Sequence, residues 1–326
     1  MGLALALLPG VSCVPWTGKQ ATSTPNQGVR ITQLDDRLRV ELDGQLFTEY
    51  RFRQVPRPYW YPLLGPGQLA LTRNWPIVDI PGEERDDHPH HRSLWFAHGG
   101  VNGQDFWNEK TNCGSIVHQR FTRIQSDRQV GLIESQNQWV AVNGSVVCTD
   151  DRTMRIYRPG PAGERVFDFE VTLHASHGPL TLEDTKEGTM AVRMAQTLVI
   201  NGKFGQGHVL NSLGLRDVAA WGKRADWCDY YGPVDGQTVG IAMFDHPLNP
   251  RHPTWWHVRD YGLFAANPFG QHDFENLTDK SAGNLVVPAG ASVTFRYRFF
   301  LHAHDSEQAG VAQRYQDYLQ TISKRN

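Results

Sequence analysis

Val29-Arg30-Ile31-Thr32-Gln33-Leu34-Asp35-Asp36-Arg37-Leu38-Arg39-Val40-Glu41-Leu42-Asp43-Gly44-Gln45 decides the fold class. Apolar and polar residues alternate on both sides of Asp35-Asp36, and a period of two belongs to a half-buried strand. The stretch predicts strands over 29–34 and 37–42 with a turn between them. Asp43-Gly44 is a two-residue hairpin signal, because glycine accepts the positive φ of a type I′ turn. Residues 45–52 continue the meander.

The same alternation returns at 115–124, 130–135, 152–157, 166–174, 191–200, 239–244, 261–266 and 293–302. Turns such as Val142-Asn143-Gly144-Ser145 and Pro159-Gly160-Pro161 separate the runs. Strand signals at this density predict an all-β fold, a large antiparallel β-sandwich. Pro56-Arg57-Pro58-Tyr59-Trp60-Tyr61-Pro62 lacks ladder donors and predicts an aromatic-rich edge or ligand-side loop. The one clear helix is C-terminal. Asp305 or Ser306 is its expected cap, and Val311, Tyr315, Tyr318, Leu319 and Ile322 form one apolar stripe.

A chain of 326 residues accommodates one large β domain. The expected organisation is a signal-like segment and linker over 1–27 and a single β-sandwich domain over 28–326. The formal charge is −2 and no basic block is present, which argues against nucleic acid and anionic membrane as partners. No apolar run reaches the ~18 residues of a membrane span. The start, Met1 to Cys13, is apolar and resembles the end of a signal peptide with a lipidated Cys13. It implies export or a periplasmic location, with the cytoplasm as the alternative. Cys13, Cys113, Cys148 and Cys228 are widely spaced and form no CxxC pair, so a zinc knuckle is not expected.

Three segments are odd for a hydrophobic interior. The first runs from Asp86 to Trp107 and holds His88, His90, His91, Arg92 and His98 within eleven residues, interleaved with Trp95, Phe96 and Trp107. Imidazole titrates nearest neutrality, so a cluster suits proton transfer or metal binding. If a strand covers 92–98, then His90, Arg92, Leu94, Phe96 and His98 share one face. The second is Leu182-Glu183-Asp184-Thr185-Lys186-Glu187-Gly188, in which Asp184 or Glu187 could serve as a general base. The third runs from His252 to Gly270, where alternation puts Trp255, His257, Arg259 and Tyr261 on one face. Aromatic rings pack on the C–H side of a pyranose, while Arg and His bind its hydroxyls or a carboxylate.

Together these residues resemble a known family. Asp87-His88-Pro89-His90-His91-Arg92, Leu94-Trp95-Phe96-Ala97-His98-Gly99, Val101-Asn102-Gly103 and Asp105-Phe106-Trp107 are similar to the signature of a bacterial PmoA-like family, labelled "methane oxygenase PmoA" and of unknown function. Asp184-Thr185-Lys186-Glu187-Gly188 and Trp255-Trp256-His257-Val258-Arg259, with Tyr261 to Gly270, resemble its later motifs in the same order. The resemblance implies membership and no particular chemistry, since a membrane oxygenase subunit needs several spans of ~20 residues. The strand-rich layout is also similar to the galactose-mutarotase-like supersandwich. No epimerase motif is matched, so no catalytic residue is carried over from it.

The function expected is a carbohydrate-active enzyme of epimerase, lyase or hydrolase type, acting on a small-molecule substrate. Its catalytic candidates are His88, His90, His98, Asp184, Glu187 and His257. Its binding candidates are Arg92, Asn102, Asp105, Trp107, Trp255, Arg259, Tyr261 and Asn267. Paired groups with separated pKa values can run epimerisation, elimination or hydrolysis. One alternative is a divalent-metal enzyme using His88, His90 and His98. Another is a sugar-binding envelope protein that needs the aromatics and arginines alone.

Overall fold

The alternation at the start of the domain becomes a three-stranded meander. Asp43 and Gly44 both take positive φ, 49° and 81°, as the tight hairpin requires. The computed structural model describes Gly2, residues 27–85 and residues 88–324. The leader expected over Met1 to Cys13, the linker to residue 26, and Asp86 and Asp87 lie outside the described residues, Gly2 apart.

The strands in chain order are β1 (Val29–Gln33), β2 (Arg37–Leu42), β3 (Gln45–Arg51), β4 (Tyr59–Trp60), β5 (Leu94–His98), β6 (Ser115–Gln125), β7 (Val130–Val140), β8 (Val146–Tyr157) and β9 (Arg165–His174). Then follow β10 (Leu180–Leu182), β11 (Gly188–Arg193), β12 (His208–Asn211), β13 (Trp227–Val234), β14 (Gln237–Asp245), β15 (Trp255–Val258), β16 (Leu263–Asn267), β17 (Leu285–Val287) and β18 (Ser292–Ala303). Two eight-stranded sheets form the sandwich. The first has the order β1-β2-β3-β4-β5-β11-β16-β15, and the second β12-β13-β14-β18-β9-β8-β7-β6. β10 and β17 pair separately. Neighbouring strands in both sheets run antiparallel, as the alternation predicts.

The facing sides of the two sheets make the core. Leu94, Val192, Phe264 and Val258 form one register row, and Phe96, Met190, Ala266 and Trp256 the next; all are buried. They meet the second sheet through ring contacts such as Phe96–Phe295 at 5.8 Å, beside Phe47–Phe167 at 5.8 Å and Trp60–Phe169 at 6.3 Å. Each fully buried ring of this kind contributes about 1.5–3 kcal/mol.

Three expectations are corrected. Tyr59–Trp60 is no edge loop but a two-residue strand between β3 and β5, with Tyr59 opposite Trp95 and Trp60 opposite Leu94. Prolines 56, 58 and 62 limit the pairing to those two residues, whose N–H groups remain. The strand expected over 191–200 instead spans Gly188–Arg193, and the chain then leaves the sheet. The C-terminal helix, Val311–Ser323, begins after Gly310 at φ 66° with no side-chain cap. Asp305 serves the preceding turn, accepting from the Glu307 and Gln308 amides at 3.0 and 2.8 Å. The helix stripe does cover the far side of the second sheet, where Val311, Tyr315 and Tyr318 pack with Trp227, Phe244 and Phe300. Cys113, Cys148 and Cys228 are free thiols. Among the described residues no helix is long and apolar enough to cross a membrane.

Candidate functional site

The face of the first sheet turned away from the core carries small residues where a site needs room. Across the register, Trp95, Ala191, Ala265 and His257 form one row and Ala97 lies beside Thr189. Ala97, Ala191 and Ala265 are fully buried, and loop rings, those of His91 and Trp107, lie against Trp95 on the same face. Strand alternation places Trp95 and Ala97 on this face because Leu94 and Phe96 point into the core.

His98 therefore falls on the core side. Its ring is 4.6 Å from Phe269, and its Nε2 lies 2.8 Å from the Glu183 carbonyl oxygen. Burial pushes its pKa down to about 4. The face shared by His90, Arg92 and His98 does not form, because the strand begins at Leu94 and the chain before it is a turn.

That turn brings His88, His90 and His91 together. His88 takes φ 44°, and the His91 amide donates to the His88 carbonyl at 2.9 Å. Four rings then stack in a column. Tyr261 and His88 are 4.7 Å apart at 9°, His88 and His91 are 4.7 Å apart at 13°, and His91 and Trp95 are 5.3 Å apart at 23°. Trp107 closes one side, 5.1 Å from Trp95 and 5.8 Å from His91. Arg193 Nη1 donates to His91 Nδ1 at 3.0 Å, which assigns the His91 proton to Nε2. Burial, reinforced by Arg193, Arg73 and Arg259, brings His88 down to about 4. Burial and Arg57 bring His90 to about 4. Burial and Arg193 hold His91 well below the ordinary range. All three imidazoles are thus neutral at pH 7, suited to hydrogen bonding.

Several candidates hold the fold. Arg92 is clasped by Glu109, with Nε at 2.7 and 3.0 Å and Nη2 at 2.7 Å from its carboxylate. Glu109 also meets the buried Arg57 at 3.2 Å. Asp105 accepts from the Trp107 and Asn108 amides at 2.7 and 3.0 Å. Asn102 bridges Thr181 and Pro179. Asp184 is buried and accepts from the amides of His272 and Gly283 at 2.9 and 2.7 Å, while the His272 ring meets it at 2.8 Å. Asn267 donates to the Thr185 carbonyl and accepts from the Phe269 amide. Trp255 donates to Glu275 at 3.0 Å beneath the Arg224 guanidinium. The metal set of His88, His90 and His98 is not assembled, and among the described residues no three His, Cys, Asp or Glu side chains are grouped to hold an ion.

What remains uncommitted lies around His257, Arg259, Tyr261 and Glu187. The β15–β16 hairpin presents the first three; Gly262 at φ 93° makes its turn. His257 is buried, and its Nδ1 accepts from Trp221 Nε1 at 3.2 Å, leaving the proton on Nε2. Burial, with Arg259 and Lys186, pushes it down to about 3. Arg259 sits between Trp221 and Tyr261, its guanidinium carbon 5.9 and 5.4 Å from their ring centres. It lines a cavity of about 270 Å³ with Val218, Trp221, Val258 and Asp260. Glu187 is half-buried, and among the described residues no hydrogen-bond donor meets its carboxylate. Burial raises its pKa, with Lys186 and Arg259 opposing and Asp105 and Asp273 reinforcing. Burial likewise raises Tyr261 against the charges of Arg259 and Arg193.

Sequence reasoning passed over Trp221, Arg193 and Glu109. Trp221 stands in an irregular stretch with no periodic signal. Arg193 was findable, as a lone guanidinium ending the apolar run Met190-Ala191-Val192. Glu109 is separated from Arg92 by sixteen residues and nothing in the sequence joins them.

A family of unknown function, DUF6807, matches residues 37–316, and the chain belongs to it. The description of that family names no activity. No curated protein matches the sequence. Solved structures share the layout weakly. A polysaccharide lyase is 10% identical over 87% of this chain, with a TM-score of 0.31, and the chain spans 34% of that protein's length. A galactose mutarotase-related enzyme from Lactobacillus acidophilus is 7% identical, with a TM-score of 0.28, covering 84% of this chain and 97% of that one. A protein described as an aldose 1-epimerase from Escherichia coli K12 is 10% identical, with a TM-score of 0.27, covering 85% and 99%. No residue role is taken from these likenesses.

Proposed function

We propose that this member of the DUF6807 family is a carbohydrate-active enzyme whose site is the loop-covered face of the first sheet, with Glu187 moving a proton to or from a sugar. The observation that carries the reading is the state of Glu187. It is a half-buried carboxylate with a raised pKa and no donor among the described residues, and the Arg259 charge bears on it. A carboxylate held only by the fold would have its acceptor bonds filled, as those of Asp184 are. Partial burial brings such a group toward the neutral working range of a general acid or base.

The surroundings suit a sugar. Trp221 and Tyr261 offer aromatic surface, and Arg259 between them offers donors. His257, neutral with its proton on Nε2, is a hydrogen-bond donor toward a ring oxygen. His88, neutral and stacked on Tyr261, fixes that phenol's plane. In this reading Glu187 takes a proton from a carbon, as isomerisation and elimination require, or from an attacking water, as hydrolysis requires, and the proton returns to the product or to the leaving oxygen. The pairing with a neutral imidazole follows the rule that acid and base roles divide between groups whose environments separate their pKa values.

The test is turnover. Purified protein is incubated with a panel of mono- and oligosaccharides, and reducing ends, unsaturated products and anomeric exchange are followed. On the substrate so found, E187Q should lose about a hundredfold or more in kcat, the scale of a lost general acid or base. H257A should lose turnover while keeping its fold. Full activity in E187Q refutes the acid–base role. Saturable binding that E187Q leaves intact, with no product from the wild type, would make the face a binding surface instead.

A further inference from the structure

We infer that the sugar bound here carries an anionic group, a ring carboxylate or a phosphate, which Arg259 grips at the cavity beside Trp221; the inference rests on the proposed acid–base role of the same face.

Among the described residues, Arg259 is the one cation lining that cavity, with Val218, Trp221, Val258 and Asp260 around it. A guanidinium has five N–H donors in a rigid fork. Other arginines on this face use theirs. Arg57 donates to the Phe106 and His90 carbonyls, Arg92 to Glu109, and Arg193 to His91. Among the described residues the Arg259 side chain makes no hydrogen bond and no ion pair. It is held by the faces of Trp221 and Tyr261, a cation–π arrangement that positions the charge without engaging the edge of the fork.

The neighbouring carboxylate does not fill the fork either. The carboxylate adjacent in sequence and on the same wall, Asp260, accepts from Asn201 Nδ2 at 3.0 Å and forms no ion pair with Arg259. A half-buried cation is therefore left unmatched beside an available anion. A two-oxygen anion meets such a fork in paired, charge-assisted bonds. Arg259 and Lys186 both help keep His257 neutral, so the cationic fork and a neutral imidazole donor stand on the same hairpin. The space, about 270 Å³, suits one sugar ring and its substituent.

The full chain is titrated by calorimetry with methyl β-D-glucuronide, glucose 6-phosphate and methyl β-D-glucoside. One charged probe should bind at least about tenfold more tightly than the neutral glucoside, the scale of a charge-assisted bond. The better of the two charged probes identifies the group as carboxylate or phosphate. R259Q should abolish the preference, and R259K, which keeps the charge and loses the fork, should reduce it. If R259Q does not fold, R259K carries the test. Equal affinity for all three probes, no binding of any, or an undiminished preference in the variants overturns the inference. E187Q-dependent turnover on a neutral sugar would sink this inference and leave the acid–base reading standing. Turnover indifferent to E187Q, with the anion preference intact, would do the reverse.

Discussion

Replacing His257 by glutamine should make the protein less sensitive to acid. The ring is 2% exposed, and burial, aided by Arg259, Lys186 and His88, sets its pKa at about 3. The unfolded chain returns it to ~6.5. A depressed folded pKa means that the folded state binds fewer protons than the unfolded one. The stability this represents is complete above ~6.5 and drains as pH falls toward the folded value, by up to ~1.4 kcal/mol per pH unit. Between pH ~7.5 and ~4.5 the ring alone withdraws ~3 kcal/mol, an upper figure because a buried site relaxes on charging. Glutamine does not titrate, and its amide oxygen can still accept from Trp221 Nε1. Urea unfolding of both proteins at both pH values gives a double difference that cancels the packing cost of the substitution. His88, His90 and His98 shift in the same direction, so the variant keeps some acid sensitivity. An acid loss in H257Q as large as in the wild type would show that His257 takes up its proton inside the fold, and the neutral donor assigned to it would be withdrawn.

Three further outcomes are expected. E109Q leaves Arg57 and Arg92 without their shared carboxylate and should cost about 3 kcal/mol, seen as a lowered denaturation midpoint; a change under about 1 kcal/mol would mean that the pair is solvated. G188A puts a Cβ 2.5 Å from His98 Nδ1, between β11 and β5, and should destabilise by about 1–3 kcal/mol, measured by thermal melting. The acid limb of kcat/KM should lie above the ordinary glutamate range of ~4.3, because Glu187 works as a base only once ionised and burial raises its pKa; the limb should vanish in E187Q, and a midpoint at or below that range argues for another base.

The strands were legible where an antiparallel sheet is covered on one side only, so that a period of two survives in 37–42, 130–140 and 165–174. Tyr59–Trp60 was not, since its role comes from where β3 and β5 leave a gap. The site was legible as a set of residue types and not as a set of roles. Asp184 and Glu187 look equivalent in sequence; only the loop returning through His272 and Gly283 tells them apart. His88 and His98 likewise look alike, yet the turn before Leu94 sends the first toward Tyr261 and the strand after it sends the second toward Phe269. Trp221 reaches His257 and Arg259 through tertiary contact alone.

Ala97, Ala191 and Ala265 make the first sheet a pedestal. Their side chains leave the layer above the strands to larger rings, His91 stacking on Trp95 and Tyr261 on His88. The hairpin tip at 259–261 also closes the β15–β16 pairing, since the Arg259 amide donates to the Leu263 carbonyl at 2.7 Å and the Gly262 amide to that of Arg259 at 3.0 Å. A bulky residue at any one of the three fully buried alanines would therefore have no space to enter without moving what lies above it.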